Sequence, residues 1–84
     1  KMISLNDDKE LLLERVLILA IYKKNIKISI NTLLNELTET GVFKNLAESK
    51  IYLKSIKKKG FFENGFFTPL GLERVEEALS FFKA

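Results

Sequence analysis

The stretch Phe61-Phe62-Glu63-Asn64-Gly65-Phe66-Phe67-Thr68-Pro69 decides the fold. Asn-Gly between two aromatic pairs is a strong signal for a two-residue hairpin, because both central positions of that turn need positive φ. So short a loop leaves one register: Glu63 faces Phe66, Phe62 faces Phe67, and Phe61 faces Thr68. Phe62 and Phe67 then share one side of the ribbon, the side expected to be buried. Thr68 before Pro69 predicts a helix start, since proline in a first turn gives up an N–H that has no intrahelical partner. That last helix carries Leu72, Val75, Leu79 and Phe82 at spacings of three, four and three, with Ala78 and Phe81 beside them.

Upstream of the hairpin, Asn45 followed by Glu48 is a capping signature. It opens a helix expected over Leu46–Lys59, which Gly60 ends. Leu46, Ser49 and Ile56 lie within about 60° of Leu53 on a helical wheel and form its core face. Lys54, Ala47, Lys58, Ile51 and Ser55 occupy the opposite face, between about 100° and about 200°. A shorter helix precedes it, capped by Ser29, with Leu33, Leu34 and Leu37 turned inward and Gly41 as its stop. Ile26, Ile28 and Ile30 alternate with Lys27 and Ser29, which predicts a short strand with one buried face. Asp7 with Glu10 predicts a helix start near Asp8. From Leu11 to Tyr22 this first helix is apolar almost all round, as a central helix covered on several sides would be, and Lys23, Lys24 and Asn25 end it.

Composition narrows the chemistry. The chain has 84 residues, 46% hydrophobic and 30% charged, with one proline and four glycines, so residues 1–84 are read as a single folded domain. Cysteine and histidine are both absent. Disulfides, thiolate metal sites, cysteine nucleophiles and serine–histidine catalysis are therefore excluded within this chain. Glu73, Glu76 and Glu77, like Asp7, Asp8 and Glu10, fall in early helical turns where carboxylates suit the helix dipole. The four glycines are spaced as punctuation, with no phosphate-binding pattern. The reading is a protein that is not an enzyme and needs no cofactor or metal. The longest apolar run, Val16 to Tyr22, is far short of the ~20 residues of a membrane span, and a cytoplasmic location is expected. Lys1 ahead of Met2 is consistent with a start at Met2 or with a domain excised from a longer protein.

The resulting class is mainly α with a small β-hairpin, in the order α-β-α-α-β-β-α. This order resembles the winged helix-turn-helix family, including the MarR-like, PadR-like and ArsR-like bacterial regulators. The similarity is most specific from Leu53 to Gly71, where Leu53, Ile56, Lys59-Gly60, Phe62 and Phe67-Thr68-Pro69-Leu70-Gly71 are similar to the end of a recognition helix, a wing, and the turn that opens the next helix. The resemblance implies binding of double-stranded DNA through the third helix in the major groove, and a role in transcription regulation. Two features differ from those regulators: the turn Val42-Phe43-Lys44 is expanded, and the wing, tipped by Asn64-Gly65 and flanked by Glu63, offers no lysine or arginine to a phosphate.

Charge falls where that resemblance needs it. Between Lys44 and Lys59 six lysines face one glutamate, a balance of +5 against +3 for the whole chain, so the other 68 residues carry −2. The DNA-binding residues are read as Lys44, Lys50, Ile51, Lys54, Ser55 and Lys58: the lysines on phosphates or base edges, Ile51 and Ser55 in the groove. Lysines in a last helical turn also complement its dipole, and an exposed isoleucine also suits a protein contact. The alternative reading is accordingly a protein-interaction module that docks through Ile51 and the short wing. Leu72, Val75, Leu79, Phe81 and Phe82 on the last helix serve either burial against the first helix or a two-fold homodimer interface.

Overall fold

The computed structural model describes residues 5–24 and 26–83. Helix α1 spans Leu5–Lys23, α2 Ile30–Glu39 and α3 Leu46–Lys58; strands β1 (Phe62–Glu63) and β2 (Phe66–Phe67) form an antiparallel hairpin, and α4 runs Pro69–Lys83. The molecule is mainly helical, with the hairpin set between α3 and α4. Helix α1 is central and packs against α2, α3 and α4. Leu13, Leu17, Ile18 and Ile21 from α1 meet Leu33 and Leu34 from α2, Ile56 from α3, Phe62 from β1, Val75 from α4, and Phe43 and Phe61 from the connecting segments. Among the described residues, no helix is long and apolar enough to cross a membrane.

The hairpin has the register that its turn dictates, Phe62 opposite Phe67 and Glu63 opposite Phe66. Asn64 (φ 51°) and Gly65 (φ 84°) are the left-handed pair at its tip. Phe62 and Phe67 meet edge to face at 5.1 Å, and Phe67 reaches Tyr22 of α1 at 6.3 Å. Phe61, just before β1, is also buried.

Helix α3 begins as its capping signature requires: Asn45 Oδ1 accepts the Glu48 N–H at 2.8 Å. Glu48 Oε1 in turn accepts the Lys44 N–H at 3.0 Å, one residue ahead of the cap. At the far end Gly60 takes φ 83°, which lets the Gly60 N–H reach Lys57 O and the Phe61 N–H reach Ile56 O, returning the chain directly into the core. Ser49 and Ile56 are fully buried, and Leu46 and Leu53 half-buried, on the inward face. Between α2 and α3 the connecting turn is anchored by Phe43, which is buried and packs its ring 5.4 Å from that of Tyr52.

Two expectations are corrected. Residues Ile26 to Ile30 form no strand: Ile26 is 91% exposed, the segment turns, and Ile30 is taken into α2. An extended segment needs a partner for its N–H and C=O groups, and the only sheet among the described residues is the two-stranded hairpin. The Ile28 carbonyl instead accepts the Lys24 ammonium at 3.0 Å, and Ser29, extended at φ −72° and ψ 158°, caps α2 by accepting the Thr32 N–H. The order is therefore α-α-α-β-β-α. Helix α1 also begins at Leu5, so Asp7 lies inside it rather than at its cap; the side chains of Asp7 and Asp8, and Asn25, lie outside the described residues.

On α4 the apolar residues divide between the two alternatives. Its buried residues are Gly71, Val75 and Ala78, while Leu72, Leu79 and Phe82 are 37–48% exposed. Gly71 is the cause. A Cβ built there would lie 1.8 Å from the Phe61 carbonyl oxygen, so the helix seats its smallest residue against the root of the hairpin and turns the larger side chains outward. Thr68 fixes this seat: its hydroxyl accepts the Gly71 N–H at 3.0 Å and donates to Gly60 O, and its N–H donates to Phe61 O at 3.0 Å.

Candidate nucleic-acid interface

Helix α3 stands at the surface with its inward face held by Ser49 and Ile56, so its outer face is open to solvent. Lys50, Lys54 and Lys58 recur every four residues and form a row about 12 Å long, given ~1.5 Å per residue. Lys57 lies beside the row on the hairpin side, and Lys44 precedes the helix; all five lysines are exposed. Among the described residues no ion pair engages any of them.

Lys57 is missing from the residues selected by sequence, although its spacing of seven from Lys50 and three from Lys54 places it on the same stripe. It lines a recess with Gly60, Phe62, Glu63, Asn64 and Gly65, which brings the basic helix and the hairpin tip together.

Lys59 behaves differently. Its ammonium meets Glu14 Oε2 of α1 at 2.5 Å, with the Glu14 side chain only 11% exposed and that of Lys59 51%. A carboxylate this deep needs a cation, so Lys59 ties the end of α3 to α1 and is removed from the outward-facing set. The partners are 45 residues apart in the chain, and no local pattern announces the pair.

Ile51 and Ser55 fall on the opposite edge of the lysine row. Ile51 is 66% exposed and Ser55 half-buried, and both line a cleft of about 590 Å³ between α1 and α3. Its other walls include Glu10, Leu11, Glu14, Glu48, Tyr52 and Lys59. Burial, followed by the charges of Glu10, Glu48 and Glu14, holds the Tyr52 hydroxyl pKa above its ordinary value of 10.0. The outer surface of α3 is thus divided into a basic stripe and an acidic, partly apolar edge. A phosphate backbone is drawn to the first and repelled by the second.

The remaining residues singled out from sequence are separated from this surface. Val75 is 2% exposed and belongs to the core, so it has no place in an interface between copies. Phe81 packs on Phe82, and the Arg15 guanidinium lies 4.2 Å from its ring centroid. Glu77 pairs with Arg74 at 2.6 Å, while Glu73, Glu76 and Glu77 border a shallow depression with Arg15 and Ser80. Among the described residues no group of three acidic, histidine or cysteine side chains is placed to hold a metal ion. Compared with protein-family models, curated proteins and solved structures, the chain matches none.

Proposed function

We propose that the protein is a winged-helix DNA-binding domain that lays α3 in the major groove of duplex DNA and acts in transcription regulation. The observation that carries this reading is the exposed row Lys50, Lys54 and Lys58, extended by Lys44 and Lys57, with no ion-pair partner among the described residues. Basic charge gathered on one open helix is the electrostatic footprint of a polyanion partner. Arginine, asparagine and glutamine are absent from α3, so most contacts go to phosphates and base selectivity is modest. The test is Lys54→Ala, read by fluorescence anisotropy on duplex DNA. Affinity falls while the melting temperature stays within error; unchanged affinity refutes the assignment.

The cleft beside α3 favours a second reading. Ile51 and Leu11 supply apolar surface with Glu10 and Glu48 at their edge, as a protein partner bearing cationic and apolar side chains would require. Ile51→Glu separates the two. Loss of DNA binding with intact folding places Ile51 in the groove, whereas intact DNA affinity with loss of a protein partner selects the docking role.

Self-association is part of the first reading. Leu72, Leu79 and Phe82 form one exposed flank of α4, and a two-fold contact between such flanks would present two copies of α3 to one duplex. Sedimentation velocity decides: Leu79→Glu converts a dimer to a monomer, and a wild-type protein that is monomeric at high micromolar concentration refutes the contact.

A further inference from the structure

The alternation of strand β2 has a consequence for the tip of the hairpin. Phe67 turns inward to Phe62 and Tyr22, so Phe66 must point the other way, and it is 76% exposed. Opposite it is Glu63, the two Cβ atoms of such a pair lying about 5 Å apart. Among the described residues no ion pair engages Glu63. The tip has a defined backbone: its two loop residues hold positive φ, and its root is closed by the Thr68 N–H on Phe61 O and the Thr68 hydroxyl on Gly60 O.

We propose that the hairpin tip binds an unstacked nucleobase, with Phe66 as the stacking platform and the Glu63 carboxylate as acceptor for the base edge. This rests on the nucleic-acid reading of α3 and names what the hairpin adds to it. A phosphate is the wrong ligand for the tip, because Glu63 repels it and the tip has no cation of its own. A base suits both groups. Its π-face stacks on an aromatic ring, and its Watson–Crick edge is open to hydrogen bonding once it leaves the helix. Guanine is the favoured base, since its ring N–H and amino group are adjacent donors that a carboxylate accepts as a pair. Lys57, in the recess beside Glu63, is placed to neutralise the phosphate attached to that base. The backbone that carries Phe66 is set by the turn and the root hydrogen bonds, so binding orders only its side chain.

The base can come from a duplex that the tip opens or from a strand already unpaired, and one experiment separates these sources. Wild type, Phe66→Ala, Phe66→Trp and Glu63→Gln are titrated at low salt against a fully paired duplex, the same duplex with one bulged guanine, and a third with a bulged adenine. Wild type binds the bulged guanine more tightly than the paired duplex, by between about five-fold and about 150-fold, the range that aromatic stacking supplies. Phe66→Ala abolishes the preference, Phe66→Trp keeps it with quenched indole emission, and Glu63→Gln equalises guanine and adenine. A rise in emission from 2-aminopurine inside the paired duplex shows that the tip opens it; constant emission with tight bulge binding shows capture of a base already free. If Phe66→Ala binds every duplex as wild type does, the proposal for the tip is overturned while the lysine row stands. If no duplex binds at low ionic strength, both fall.

Discussion

Gly71→Ala sets helix propensity against packing, and the two demand opposite signs. Alanine is favoured over glycine by at most about 1 kcal/mol at a helical position, and Gly71 is the third residue of α4, so propensity alone raises the melting temperature by no more than about 4–8 °C. The structure requires a fall. The new Cβ would sit 1.8 Å from Phe61 O and 2.7 Å from Phe61 C, both backbone atoms that no rotamer change can move aside. Restoring ordinary contact displaces α4 or the hairpin root by about 1.5 Å, against a carbonyl that also accepts the Thr68 N–H. Overpacking of this kind costs about 3 kcal/mol, the upper end of the usual range. After the propensity gain, the net loss is about 2 kcal/mol, or about 8–16 °C in a domain of this size. Thermal melting followed by circular dichroism measures it, with Ser80→Ala on the exposed face as a control expected to shift little. A Gly71→Ala protein as stable as wild type, or more stable, would refute the close approach of α4 to Phe61.

Further outcomes follow from individual contacts. Lys59→Ala strands the Glu14 carboxylate and costs about 1–2 kcal/mol, discounted for the half-exposed lysine, while leaving DNA affinity unchanged; melting and anisotropy give the reverse of the Lys54→Ala pattern. Asn45→Ala removes the acceptor for the Glu48 N–H and lowers stability by about 1 kcal/mol in chemical denaturation. The raised pKa of Tyr52 means that its neutral form favours the folded state below about pH 10, a contribution lost as pH rises through the folded value. Tyr52→Phe therefore shows a shallower loss of stability above about pH 10 than wild type, measured by denaturation at a series of alkaline pH values.

The parts of this molecule that were legible in its sequence are those set by local geometry. Asn64-Gly65 needs left-handed backbone and permits one register, so the pairing of Phe62 with Phe67 follows from the chain alone. Asn45, Glu48 and Gly60 likewise mark both ends of α3, because caps are satisfied within a few residues. Features that depend on distant neighbours were not legible. The Ile26–Ile30 alternation suits a strand but meets no partner edge, and Ser29 serves α2 instead. The buried side of α4 is set by Gly71 against Phe61, which displaces Leu72 and Leu79 from the core they would otherwise fill. Within the candidate site the lysine row was visible from spacing. The removal of Lys59 by Glu14, and the acidic cleft that receives Ile51 and Ser55, arise only when α1 is laid beside α3.

The central claim is that the open lysine face of α3 meets the phosphates of duplex DNA. Measuring the association constant for a duplex as a function of salt concentration tests it most directly. Four to five lysines on phosphates predict a slope of log K against log salt between about −3.6 and about −4.5. Affinity that does not change with salt, or no detectable binding at low ionic strength, would contradict it.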